Sequence, residues 1–310
     1  MSNNSKNSQK SLVLVILGPT ASGKTSLGVR LASKYKGEIV SADSRQVYQG
    51  MDIGTGKDLV EYELNGKKIP HHLIDVVSPN TEFNLAKYTK LANQALADIC
   101  ARKKLPIIVG GTGLYLQALV DNYELSEVKP NEAKRQELET LNREELYLRL
   151  EKLKPDFAHK LNNSDKLNSR RLVRYLEIFE QGGKLSGKQE SKYEFLLIGL
   201  DWPDEILRER IVKRINDRLG NEEMVAEVEC LHEEGVSWQR LISFGLEYKF
   251  ISYYLLEKLS YEEMITKLGD ASYRFAKRQK TWFKRWEKQG RKINWVNNQA
   301  EAEEVIEKYL

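Results

Sequence analysis

The segment Gly18-Pro19-Thr20-Ala21-Ser22-Gly23-Lys24-Thr25 follows an apolar run at residues 12–17 and precedes a helix-like pattern. This is the full spacing of a P-loop. Its backbone N–H groups and helix N-terminus converge on phosphate oxygens, the lysine adds a point charge, and the threonine hydroxyl can ligate Mg²⁺. Phosphate binding by these eight residues, with Thr25 at the metal, is the first expectation. A P-loop names a ligand and not a reaction, and no protein-kinase or GTPase signature accompanies it.

The next apolar run, 38–42, ends in Asp43-Ser44-Arg45-Gln46-Val47-Tyr48, which places a carboxylate at a strand end beside the P-loop. Asp43 can be a general base, a partner of a metal-bound water, or the N-cap of the adjoining segment. A third run, 106–110, leads into Gly110-Gly111-Thr112-Gly113, where glycines admit a close ligand and Thr112 offers a hydroxyl. The neighbouring His71 and His72 point to opposite faces and lack a third ligand, so they read as hydrogen-bonding residues and not as a metal pair.

Two stretches carry clustered positive charge. Asn168-Ser169-Arg170-Arg171-Leu172-Val173-Arg174 opens a helix with its arginines on one side and Leu172, Leu176 and Phe179 opposite. Residues 271–288 hold seven Lys or Arg against one Glu, with Lys277, Arg278 and Lys284 on a basic stripe and Phe275, Trp282 and Trp286 on the other side. Guanidinium forks and a lysine stripe suit phosphates of a nucleic acid, and a solvated charged face is the alternative.

The elements that must carry these residues show in the wider pattern: strand runs alternate with helical stretches up to residue 110, resume at 195–200, and end with 293–296. The expected fold is therefore α/β: a P-loop parallel sheet with helices on both faces, ligands lying at the carboxyl ends of the strands. Between 122 and 194 the pattern turns to charged amphipathic helices, which predicts a helical insertion domain between core segments 11–121 and 195–310. Residues 1–10 are polar and read as a disordered tail. With 310 residues, 41% hydrophobic and 30% charged, the composition is that of a soluble globular protein. No apolar run has the length of a membrane span, and Cys100 and Cys230 lie far apart without metal-ligand spacing, so a cytoplasmic protein is expected.

Taken in order, GPTASGKT, ADSRQVYQGMDIGTGK, PHHLID, VGGTGLY, NSRRLVRYLEIF and AKRQKTWFKRW resemble the motifs of the tRNA dimethylallyltransferase family, also called tRNA isopentenyltransferases. The resemblance spans nearly the whole chain. It implies transfer of a dimethylallyl group from dimethylallyl diphosphate to N6 of adenosine 37 in the tRNA anticodon stem-loop, with Mg²⁺, by an enzyme expected to be a monomer. It also implies roles: Gly18 to Thr25 for the donor diphosphate, Asp43 as base, and Lys24, Thr112 and Arg210 completing the catalytic set. Asp43, Ser44, Arg45, Gln46 and Thr112 would meet the target nucleotide, and Arg170, Arg171, Leu172, Val173 and Arg174 the tRNA. The chain departs from the family pattern at residues 243–249, where SFGLEYK replaces the usual Gly-Tyr-Arg/Lys-Glu, and at 182–184, where GGK replaces Thr-Gly-Lys. Two other readings of the residues remain at this level: a P-loop kinase of a small metabolite or nucleotide, and an RNA-binding module switched by a nucleotide.

Overall fold

The computed structural model describes residues 10–126, 128, 131–185, 187–220 and 223–310. The expected tail therefore falls, except for Lys10, outside the described residues.

The sheet is built from β1 (Ser11–Leu17), β2 (Gly37–Ser41), β3 (His71–His72), β4 (Leu105–Gly110), β5 (Tyr193–Leu200) and β6 (Asn294–Val296). Its spatial order is β6-β5-β1-β4-β2-β3, and every neighbouring pair is parallel. A parallel sheet covered on both faces selects continuous apolar strands, and β1 shows why. Leu14 and Ile16 pack with Leu27 and Leu31 of α1 (Lys24–Tyr35), whereas Val13, Val15 and Leu17 face Tyr88 and Leu96 of α2 (Leu85–Ala101) and Leu116 of α3 (Gly113–Val120). The alternating side chains of one strand thus nucleate two cores.

The two-residue β3 is too short to leave a pattern. It pairs His71 and His72 with Ile39 and Val40. His72 Nε2 lies 2.9 Å from Glu38 Oε2, and Arg102 holds the same buried carboxylate. These partners, Arg102 first, hold the Glu38 carboxyl down at about 2. The histidine pair serves the sheet edge.

Between β5 and β6 the chain is helical, and Asp204–Leu219, Glu223–Glu233, Trp238–Phe244, Leu246–Leu255 and the long helix Tyr261–Lys288 enclose a third core that includes Ile211, Val228, Tyr248 and Ala276.

The chain divides into two compact units. One runs through Val120 and resumes at Ser191–Leu310; the other is Asp121–Glu190. In the second, the helices Glu132–Glu139, Arg143–Leu153 and Ser169–Glu180 start at Asn131, Asn142 and Asn168, whose side chains accept backbone N–H groups. Their apolar faces meet at Leu138, Leu146, Leu150, Leu172 and Leu176. Among the described residues no helix is long and apolar enough to cross a membrane.

Candidate active site

The P-loop turns between β1 and α1 with Gly23 at φ 90°, a conformation that favours glycine, and α1 begins at Lys24. A cleft of about 350 Å³ opens over it, lined by Thr20, Ala21, Gly23, Lys24 and Thr25 of the loop. Gly18, Pro19 and Ser22 are buried, outside the cleft lining, and shape the turn. A Cβ on Gly18 would stand 2.6 Å from the Leu200 carbonyl oxygen.

Four cations line the cleft; one of them, Lys213, is paired with Asp217 at 2.7 Å. Lys24 Nζ donates to the Pro19 carbonyl at 3.3 Å; burial lowers its ammonium to about 8, against the opposing pull of Asp43. Arg210 Nε donates to the Ala21 carbonyl at 2.7 Å, and its guanidinium stacks 5.1 Å from the centre of the Trp202 ring. Trp202 in turn donates from Nε1 to Ser22 O at 3.0 Å, so the arginine expected at this site is braced on the loop. The fourth cation is Arg214, one helical turn further on. Its Nη2 donates to Thr20 Oγ1 at 2.7 Å, and burial lowers it to about 10.

Asp43 lies where β2 ends and is half-buried. Its Oδ1 accepts the N–H of Arg45 at 2.8 Å, an Asx turn, and no helix starts there. The N-cap alternative is thereby replaced by a turn that orients the carboxylate. Beside it, Thr112 Oγ1 accepts the Ser44 N–H at 3.2 Å, and the Thr112 N–H bonds Ala42 O at 3.3 Å. The two strand ends can approach because Gly110 has no side chain: a Cβ there would be 2.3 Å from Ala42 O.

A second cavity of about 460 Å³ adjoins the cleft and shares Thr20, Asp43, Thr55 and Arg214 with it. Ser44, Arg45 and Thr112 line this second space, together with Phe244, Glu247, Phe275 and Arg278. Asp43 therefore faces both compartments. Gln46 is 8% exposed and works inward: Ser41 Oγ donates to its Oε1 at 2.9 Å, and its Nε2 donates to Gly56 O at 3.0 Å.

Residues to which the sequence pattern assigns no role hold this arrangement in place. Gln279 Oε1 accepts the Thr20 N–H at 2.8 Å and its Nε2 donates to Gly111 O at 2.8 Å, tying the P-loop to the end of β4. Glu227 accepts the N–H groups of Asp52, Ile53 and Gly54 and the hydroxyl of Tyr248. The fully buried Lys57 donates to Tyr48 O and to the carboxylates of Asp52 and Asp75. Together they fix the loop that carries Thr55 and Gly56 over the cleft.

The basic surfaces need correction. Leu172 and Val173, at 0 and 6% exposure, are core residues of the second unit and cannot offer their side chains to a nucleic acid. Arg171 pairs with Asp165, and Arg174 pairs with the buried Glu177 and donates to Val128 O. Arg170 is exposed, with no hydrogen bond or ion pair among the described residues. On the long helix Lys277 is paired with Asp204 at 3.0 Å, while Arg278 and Lys284 are exposed.

Known proteins resemble this chain over most of its length. A family model described as IPP transferase matches residues 46–286, and one described as Isopentenyl transferase matches 11–76. The tRNA dimethylallyltransferase 1 of Syntrophus aciditrophicus is 47% identical over 288 residues, 92% of this chain and 93% of its own. The tRNA dimethylallyltransferase 2 of Citrifermentans bemidjiense is 47% identical over 290 residues, 93% of this chain and 92% of its own. Among solved structures, the full-length tRNA isopentenylpyrophosphate transferase of Bacillus halodurans superposes with a TM-score of 0.66 at 32% identity, covering 97% of this chain and 95% of that one. A eukaryotic dimethylallyltransferase, described as acting on tRNA, gives 0.72 at 28% identity over 88% of this chain and 69% of that one.

Proposed function

This chain belongs to the IPP transferase family, and we propose that it transfers a dimethylallyl group from dimethylallyl diphosphate to N6 of adenosine 37 beside the tRNA anticodon. The observation that carries this reading is the position of Asp43, one carboxylate facing both a cationic phosphate cleft and a second cavity.

An exocyclic adenine amine is a weak nucleophile because its lone pair is delocalised into the ring. It needs a proton acceptor and an activated carbon. In the proposed reaction N6 attacks C1 of the dimethylallyl group, the C1–O bond breaks with its electrons leaving on the diphosphate, and the N6 proton passes to Asp43. Lys24, Arg210, Arg214 and the P-loop N–H groups that face the cleft stabilise the departing charge. Mg²⁺ fits here: Thr25 brings a hydroxyl to the cleft, and an ion of this type is held by one or two protein oxygens, phosphates and water. Bound there, it would neutralise diphosphate charge. The target base leaves its stack to enter the second cavity, which an anticodon loop allows at about a few kcal/mol.

Purified protein, dimethylallyl diphosphate, Mg²⁺ and an unmodified anticodon stem-loop should yield RNA heavier by one dimethylallyl group, located by nucleoside mass at adenosine 37. ATP-dependent phosphoryl transfer without any mass change in RNA would favour the kinase reading instead.

The lowered Lys24 makes donor binding sensitive to pH. Its charge is present below about 8 and lost above, so affinity for the donor should be level below that pH and fall as pH rises, approaching tenfold per unit. Calorimetry in buffers of different ionisation enthalpy should show proton uptake on donor binding near pH 8.5. Equal affinity at pH 7 and 9.5 would refute a charged Lys24 contact.

The exposed cations of both units are proposed to meet tRNA phosphates. Arg170→Gln and Lys284→Gln should each weaken tRNA binding and lower the salt slope by about one unit, with donor affinity unchanged. Unaltered slopes would make these faces merely solvated.

A further inference from the structure

Glu247 is a buried carboxyl that none of these steps uses. It occupies the first turn of Leu246–Leu255 and is 7% exposed. The helix starts abruptly, with Gly245 at φ 78° and Leu246 at φ 41°, both left-handed; a leucine takes that conformation only under strain. Glu247 lines the second cavity with Asp43 and Thr112. Among the described residues its carboxyl makes no hydrogen bond or ion pair with another side chain.

Two further atoms of residues lining that cavity, Arg214 Nε and Ser272 Oγ, are buried without partners. Orphaned polar groups are costly, and native structures keep few of them. An apolar occupant would leave the Glu247 carboxyl with only its own backbone N–H as partner.

We propose that Glu247 reads the acceptor base, its carbonyl oxygen accepting a hydrogen bond from the N6–H that Asp43 does not deprotonate and its hydroxyl donating one to the adjacent ring nitrogen. The proposal rests on the reading that the second cavity receives the target adenosine. Donation requires the neutral acid. Burial raises the Glu247 carboxyl, the charge of Asp43 acts in the same direction, and Arg214 opposes them. In the proposed arrangement Glu247 transfers no proton; only Asp43 gains one. The neutral acid presents a donor and an acceptor side by side, which matches N6–H with N1 on one edge of adenine and N6–H with N7 on the other.

The test uses anticodon stem-loops carrying adenosine, 1-deazaadenosine or 7-deazaadenosine at the target position, with single-turnover kcat/KM and donor Kd as readouts. For wild type, one of the two deaza substitutions should cost about tenfold, which also identifies the edge. Glu247→Gln offers the same donor and acceptor, so it should stay within about threefold of wild type on adenosine and retain the deaza penalty. Glu247→Leu should slow transfer to adenosine by about 10- to 100-fold, leave donor Kd unchanged and abolish the penalty. If Glu247→Leu does not fold, Glu247→Met takes its place. The inference is overturned if wild type handles both analogues as well as adenosine, or if the apolar variant keeps the full penalty. A wild type that does not prenylate the adenosine stem-loop at all would strike the proposed reaction, a separate outcome.

Discussion

Asp43→Asn should lower the single-turnover rate of prenyl transfer by about 10² or more while leaving donor and tRNA affinity nearly unchanged. Asparagine keeps the shape, and its amide oxygen can still accept the Arg45 N–H that orients the native side chain. What it cannot do is take the N6 proton. If Asp43 were only a turn former the substitution would be almost silent, because asparagine forms the same turn. The rate in a single turnover is the measurement that separates these cases, since slow product release cannot mask it. Transfer within a few-fold of wild type would move the base to another group at the strand ends.

Lys24→Ala should reduce kcat/KM for the donor by about 10² to 10³ without unfolding the protein. Lys24 is half-buried, and the one hydrogen bond its ammonium makes among the described residues, to Pro19 O, is long, so little stability depends on it. Its charge, by contrast, sits in the cleft where the diphosphate becomes a leaving group, and charge development there makes the interaction stronger in the transition state than in the ground state. Thermal melts should shift little. A variant with near-normal transfer would mean that Arg210 and Arg214 alone carry the leaving group.

Both residues were legible in the sequence because strand ends in a parallel sheet are where ligands bind, and the runs before Gly18, Asp43 and Gly110 are continuously apolar. The braces were not. Gln279 bonds Thr20 across 259 positions, from a helix whose pattern shows only which face is apolar. Arg214 shares its helix with Arg208, Arg210, Lys213 and Arg218, and nothing in spacing alone distinguishes the one that holds Thr20. The same limit explains Leu172 and Val173. A motif read as a block assigns every member to the ligand, whereas a helix turns about 100° per residue and buries those on its apolar side.

The place of β1 bears on how the enzyme is made. One edge of the P-loop strand is covered by β4, but the other is covered only by β5, which is synthesised after the whole of the second unit. At a translation rate of about 5 to 20 residues per second, the interval between those two strands lasts on the order of 5 to 20 s. Throughout it the ribosome holds a seven-residue, almost wholly apolar strand with one edge open to any partner. The second unit has its own small core and can collapse during this wait without helping to close the sheet. A nascent chain that has reached only residues 121 to 190 still lacks the strand that covers this edge, and the length of the insertion sets how long it does.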